Sequence, residues 1–269
     1  MITKSSRISL SDKDFITAIA RASVQGLVTV PHIAAELKTA TRTVGLRLGR
    51  LEAKGWVRRV KRGVYFILPL EASKRVGGVA GDPWVVASAL FAPCYIGGWS
   101  AAEHWELTEQ LFRSTFVVTA ANARASKQTI LGNEYRIARV SKDRISGFTT
   151  VWRGNIKVAV ADRERTLIDA LANPAWVGGF RHLADMLETY LASNECNVAK
   201  LVKDARALGR GAVCKRLGFL LERYDPSATR LLAVLRRSIS PAPIKLDPLV
   251  LAKGKLNSIW GVLVNVTLE

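Results

Sequence analysis

The stretch "RTVGLRLGRLEAKGWVRRVKRGVYFILPL", residues 42–70, changes its apolar periodicity half-way along, which narrows what the chain can build. Val44, Leu48 and Leu51 fall at i, i+4 and i+7 and predict one inward face of a helix. Thr43, Arg47, Arg50 and Lys54 occupy the next stripe and are expected to face solvent. Gly55 ends the helix, and "WVRRVKRGVYFIL" then reads as two short strands around a tip of Lys61, Arg62 and Gly63.

Two shorter helices are expected upstream. "SDKDFITAIARAS" places Ser11 or Asp12 at an N-cap, with Phe15, Ile16, Ile19 and Ala20 at helical spacing and Gly26 as the breaker. "TVPHIAAELK" offers Thr29 as a cap, Pro31 in the first turn, where its missing N–H costs nothing, and an apolar stripe of Ile33, Ala34 and Leu37. Three short helices followed by a basic hairpin make the winged helix-turn-helix pattern. In that arrangement the third helix enters the DNA major groove and the wing lays cations along phosphates. Arg42, Thr43 and Arg47, near the helix start, are the expected base readers. Arg50, Lys54, Arg58, Arg59, Lys61 and Arg62 are the expected backbone and wing contacts.

Charge supports a polyanionic partner. The 269 residues hold 40 Lys and Arg against 22 Asp and Glu, a formal net charge of +18. Thirteen basic and four acidic residues lie within 1–70, so half of that excess sits in about the first quarter of the chain. No apolar run approaches the ~20 residues of a membrane span, and "MITKSSRISLSDKDF" has no apolar signal region. Cys94, Cys196 and Cys214 are widely spaced and odd in number, which suits a reducing cytoplasm better than a disulfide framework or a zinc site.

"EASKRVGGVAGDP" marks a boundary, so the expected domains are 1–70, a linker at 71–82, and 83–269. Asp82-Pro83 opens a helix, "PWVVASALF". "CYIGGWSAAEHWEL" reads as a strand, a Gly-Gly turn and a helix capped by Ser100. "STFVVTA", "NEYRIARVS" and "FTTVWRGNIKVAVA" read as strands, the last with a turn at Arg153-Gly154-Asn155. Helices are expected over about 162–172, 180–192, 197–208, 211–223 and 227–238, with "NSIWGVLVNVTL" as a closing strand. The expected fold class is therefore α+β: a winged helix-turn-helix domain followed by a larger mixed α/β domain.

Catalytic signals are weak. His32, His104 and His182 sit on separate expected helices, and no Cys lies at metal-ligand spacing. Asp162, Glu164 and Asp169, with Lys157 on the preceding strand, could serve a metal-dependent nuclease. The same residues also read as a helix cap, a charge favouring the helix N-terminus and, for Arg165 and Asp169, an i, i+4 pair. No phosphate-binding glycine motif is present, and neither a metal nor a cofactor is expected. The Trp residues, Trp152 among them, are expected mostly in the core. Arg124, Lys127, Arg136, Arg139, Lys142 and Arg144 gather in one β-rich region, joined by Arg153 and Lys157, against only Glu134 and Asp143. They form either a solvated sheet face or a second nucleic-acid surface that meets DNA or tRNA.

The winged-helix ending "RGVYFILP", followed in order by "DPWVVASALF…YIGGWSAAEHWEL", "FVVTA", "VAVADRERTLIDALANP…GGF" and "KRLGFLLE", resembles the AbiEi family, antitoxins of type IV toxin–antitoxin systems. The resemblance spans nearly the whole chain and rests on order and combination. It implies a cytoplasmic autorepressor that binds repeats in its own operator. It also implies that the larger domain counteracts a nucleotidyltransferase-like toxin without a stable complex. The alternatives are a ligand-responsive repressor with no antitoxin role, or a nuclease using the carboxylates above.

Overall fold

The computed structural model describes residues 10–23, 26–67, 82–123, 125–154 and 156–268. The N-terminal unit runs α1 (Leu10–Arg21), β1 (Leu27–Thr29), α2 (Val30–Glu36), α3 (Thr41–Ala53), β2 (Val57–Lys61) and β3 (Val64–Ile67). Its core is Phe15 and Ile19 from α1, Ile33 and Ala34 from α2, and Val44, Leu48 and Leu51 from α3. Thr29 caps α2 as expected, accepting from the His32 N–H, and Pro31 stands in the first turn. α1 already includes Leu10, so Asp12 lies within the helix and binds Lys54 at the far end of α3; the side chain of Ser11 lies outside the described residues. Leu37 is the C-cap of α2 and is exposed, since the helix stops before its stripe reaches that position.

β1 was not expected from the sequence. It pairs antiparallel with β3, making a sheet of order β1-β3-β2. Alternation along these strands splits their side chains between two cores. Val28 and Tyr65 enter the N-terminal core, whereas the paired Leu27 and Phe66 join a second cluster with residues such as Val85, Phe91 and Val118. Gly26, at φ +79°, permits the close approach: a Cβ there would lie 3.1 Å from the Phe66 ring. The expected linker, 71–82, lies outside the described residues except for Asp82.

Asp82 caps α4 (Pro83–Phe91) by accepting from the Trp84 and Val85 N–H groups, as expected. After α4 come β4 (Cys94–Ile96), α5 (Gly98–His104), β5 (Ser114–Thr119), β6 (Lys127–Ile130), β7 (Asn133–Arg139), β8 (Phe148–Arg153) and β9 (Ile156–Ala161). They form one six-stranded sheet of order β6-β7-β5-β4-β9-β8. Ser100 is not the cap of α5. Gly97 holds that position, and the Ser100 hydroxyl accepts from the Phe116 N–H, tying α5 to β5. The short polar strand β6 was also unexpected; it stands at one end of the sheet, paired with β7.

The second half is α6 (Arg163–Ala172), a 3₁₀ turn at Pro174–Val177, α7 (Phe180–Ala192), α8 (Val198–Ala207), α9 (Gly211–Tyr224) and α10 (Thr229–Arg236). These follow the five expected helices closely. The closing segment is a small sheet rather than one strand: β10 (Ile244–Lys245) and β11 (Lys255–Asn257) flank β12 (Val262–Val264). Trp260, just before β12, is fully buried among the helices. The larger region thus has two cores, one around the six-stranded sheet and one among α6–α10. The chain is mixed α+β, and no helix among the described residues is long and apolar enough to cross a membrane.

Candidate nucleic-acid interface

The outer face of α3 carries the expected site. Burying Val44, Leu48 and Leu51 on one side turns Arg42, Thr43 and Arg50 to solvent on the other. Arg58, Arg59 and Arg62 of the hairpin are exposed as well. The side chain of Lys61 lies outside the described residues. Two anchors hold the hairpin beside the helices: the Val30 N–H donates to the Gly63 carbonyl at 2.9 Å, and the Arg59 N–H donates to the Glu52 carboxylate at 3.0 Å.

Two members of the expected set differ. Arg47 is half-buried, with its guanidinium 4.2 Å from the centroid of the Phe15 ring. Lys54 is the C-cap of α3 and pairs with Asp12, so its charge is partly spent within the unit. Arg42 and Thr43, at the helix start, keep the exposure expected of them.

The second basic surface does not form one face. Arg124 lies outside the described residues. Lys127 and Arg136 are cross-strand partners on β6 and β7, both exposed. Arg139 is three residues from Arg136 on the same strand, and odd separations point to opposite sides of a sheet. Arg139 therefore stands on the side of Tyr135, whose ring meets Phe91 of α4, while Arg136 stands on the side of Phe116. Lys142 is exposed in a turn; Arg144 is only half-exposed and points inward. A continuous band from Arg136 to Arg144 is thus replaced by separated groups.

The carboxylates are drawn into hydrogen bonds and ion pairs. Asp162 caps α6 through the Arg165 N–H at 2.7 Å and meets Lys200 at 3.0 Å. Glu164 accepts from Lys200 at 2.7 Å and from the Tyr190 hydroxyl at 2.7 Å. Burial alone would raise this carboxyl's pKa, but those hydrogen bonds outweigh it and hold the value below normal. Asp169, fully buried, accepts from the Tyr95 hydroxyl at 2.6 Å and faces Arg165 at 3.1 Å. Lys157 does not join them; its ammonium lies 5.0 Å from the Trp152 ring centroid. Among the described residues no three His, Cys, Asp or Glu side chains gather in a way that could hold a metal ion. His104 is edge-on to Trp84, and His182 bonds Thr108 and the Val177 carbonyl.

No family model matches this chain, and no curated protein matches it. A crystal structure of the RV2827C protein from Mycobacterium tuberculosis is similar, with a TM-score of 0.61 at 14% identity. The match covers 95% of this chain and 92% of that one. The likeness is one of fold.

Proposed function

We propose that the N-terminal unit is a winged helix-turn-helix that binds double-stranded DNA. The observation that carries this reading is the division of α3, with Val44, Leu48 and Leu51 fully buried and Arg42, Thr43 and Arg50 exposed on the opposite side. The helix is anchored along its length, so its outer side chains are presented from a rigid frame. Arg42 and Thr43 contact base edges, Arg42 by pairing bidentately with a guanine. Arg50, Arg58, Arg59 and Arg62 neutralise phosphates and fix register.

The resemblance to the AbiEi family extends the proposal to a cytoplasmic autorepressor that also counteracts a nucleotidyltransferase-like toxin. Its motifs are distributed over elements of both cores: "DPWVVASALF" forms α4, "RTLIDAL" lies in α6 and "KRLGFLLE" in α9. The test is rescue of cells expressing the neighbouring candidate toxin by this chain from an unrelated promoter. Leu27 and Phe66 share a core with α4, so removing the N-terminal unit would uncover that core. The Arg42→Ala/Arg50→Ala pair is the cleaner tool. Rescue by both the natural chain and the pair would separate antitoxicity from DNA binding. Failure of the natural chain to rescue would remove the antitoxin reading.

A further inference from the structure

β8 stands at one end of the six-stranded sheet. Alternation sends Phe148, Thr150 and Trp152 to one side, together with Lys157, Ala159 and Ala161 across the ladder. The other side is the one covered by α4, where the Arg153 guanidinium lies 4.1 Å from the Trp84 ring centroid. Large aromatic side chains on a strand normally face a core. Here Trp152 is 60% exposed and Phe148 44% exposed. The Lys157 ammonium stands over the Trp152 ring, and Phe148 stacks on Tyr95 at a centroid distance of 6.2 Å.

This aromatic shelf adjoins a polar cleft that holds two arginines. Ser146 and Gly147, the two residues before Phe148, line a cleft of about 270 Å³ with Arg144 and Arg165. Arg165 is committed to Asp169, the Tyr95 hydroxyl and the Arg144 carbonyl. Arg144 feels the more distant charges of Asp169 and Arg210, but its Nε is buried without a hydrogen-bond partner. A buried donor left unpaired is costly, and an entering anion would relieve that cost. Two carboxylates also line the cleft; Asp204 is held by Lys200 at 3.5 Å, and Asp143 is at the exposed rim.

We propose that the β8 edge binds single-stranded nucleic acid, with bases stacked on Trp152 and Phe148 and a backbone phosphate in the Arg144 cleft. Aromatic rings accept any unpaired base through its π-face, whereas a duplex keeps those faces stacked inside. Lys157 supplies a second cation beside the shelf. The site is separate from α3, and the inference does not depend on the duplex reading of the N-terminal unit.

The test uses the full chain and labelled oligouridine and oligothymidine of about a dozen nucleotides, near the upper range of one-module sites. Anisotropy is read with and without saturating unlabelled duplex. Trp152→Ala and Phe148→Ala should each weaken single-strand binding about 5- to 100-fold, while Trp152→Phe keeps most of it. Arg144→Gln should weaken it and flatten its salt dependence. Duplex affinity and melting temperature should stay unchanged in the Trp152 variants, since that ring is exposed. Equal single-strand affinity in Trp152→Ala, Phe148→Ala and the natural chain would overturn the proposal. So would competition by duplex that removes single-strand binding, or capture of an extended peptide on β8 with no affinity for either oligonucleotide.

Discussion

The Arg47 guanidinium lies 4.2 Å from the centroid of the Phe15 ring, bridging the outer side of α3 to the core edge of α1. Arg47 therefore has a structural role, which sets it apart from the exposed Arg42 and Arg50 on the same helix. Such a contact at a partly exposed site contributes about 0.5–1 kcal/mol. Arg47→Lys keeps the charge but loses the flat stack. Urea unfolding should show a loss of about that size, with duplex affinity changed only a few-fold. A loss of duplex affinity as large as that of Arg42→Ala, with no change in stability, would instead make Arg47 a base reader.

Asp169 is the negative centre of the Tyr95, Arg165 and Arg144 network, and it is fully buried. Asp169→Ala leaves Arg165 buried without its carboxylate. Breaking one side of a buried ion pair costs about 3–5 kcal/mol. The variant should show a clearly lower urea midpoint. A midpoint within experimental error of the natural chain would mean that Arg165 finds another partner.

The Lys200 bridge to Glu164 gives stability a pH dependence. Glu164 titrates below its ordinary value when folded, so it releases its proton more readily in the folded state. Its contribution is complete above the unfolded value of about 4.3 and is lost as pH falls through the folded value. Urea midpoints measured from about pH 6 down to about pH 3 should fall less steeply for Glu164→Gln than for the natural chain. Parallel curves would contradict this role.

Gly218 lets α9 lie directly against Trp260. A Cβ at this position would stand 2.1 Å from the indole ring, well inside contact distance, and the ring is fully buried. Helix propensity alone favours Ala over Gly by about 1 kcal/mol. Overpacking works against it and costs about 1–3 kcal/mol or more. Gly218→Ala should lower the melting temperature, whereas a higher one would show that Trp260 moves aside at little cost.

Much of the fold is legible where periodicity is long. α3 and the five helices from α6 to α10 run long enough for an apolar stripe to repeat. The Asp82-Pro83 and Thr29-x-Pro31 starts carry a cap and a fixed proline φ in adjacent residues. β1, with three residues, and β6, with the polar run "KQTI", are too short or too mixed to show alternation. Ser100 resembles a cap by type, but its hydroxyl binds a strand whose proximity local sequence does not encode. The opposite orientation of Arg136 and Arg139 was readable, because a separation of three reverses side in a strand. The exposure of Trp152 was not, since it depends on which side α4 covers. The involvement of Arg47 and Lys54 with α1 likewise depends on how two helices meet.

The central claim is that α3 reads duplex DNA. The most direct measurement is binding of the full chain to duplex from upstream of its own gene, titrated over salt, with an unrelated duplex as reference. Arg42→Ala should lose about 1–3 kcal/mol of preference for the upstream site. Arg58→Ala, Arg59→Ala and Arg62→Ala should weaken both duplexes alike and each lower the log–log salt slope by about 1. Equal affinity for both duplexes, unchanged by Arg42→Ala, would contradict the account.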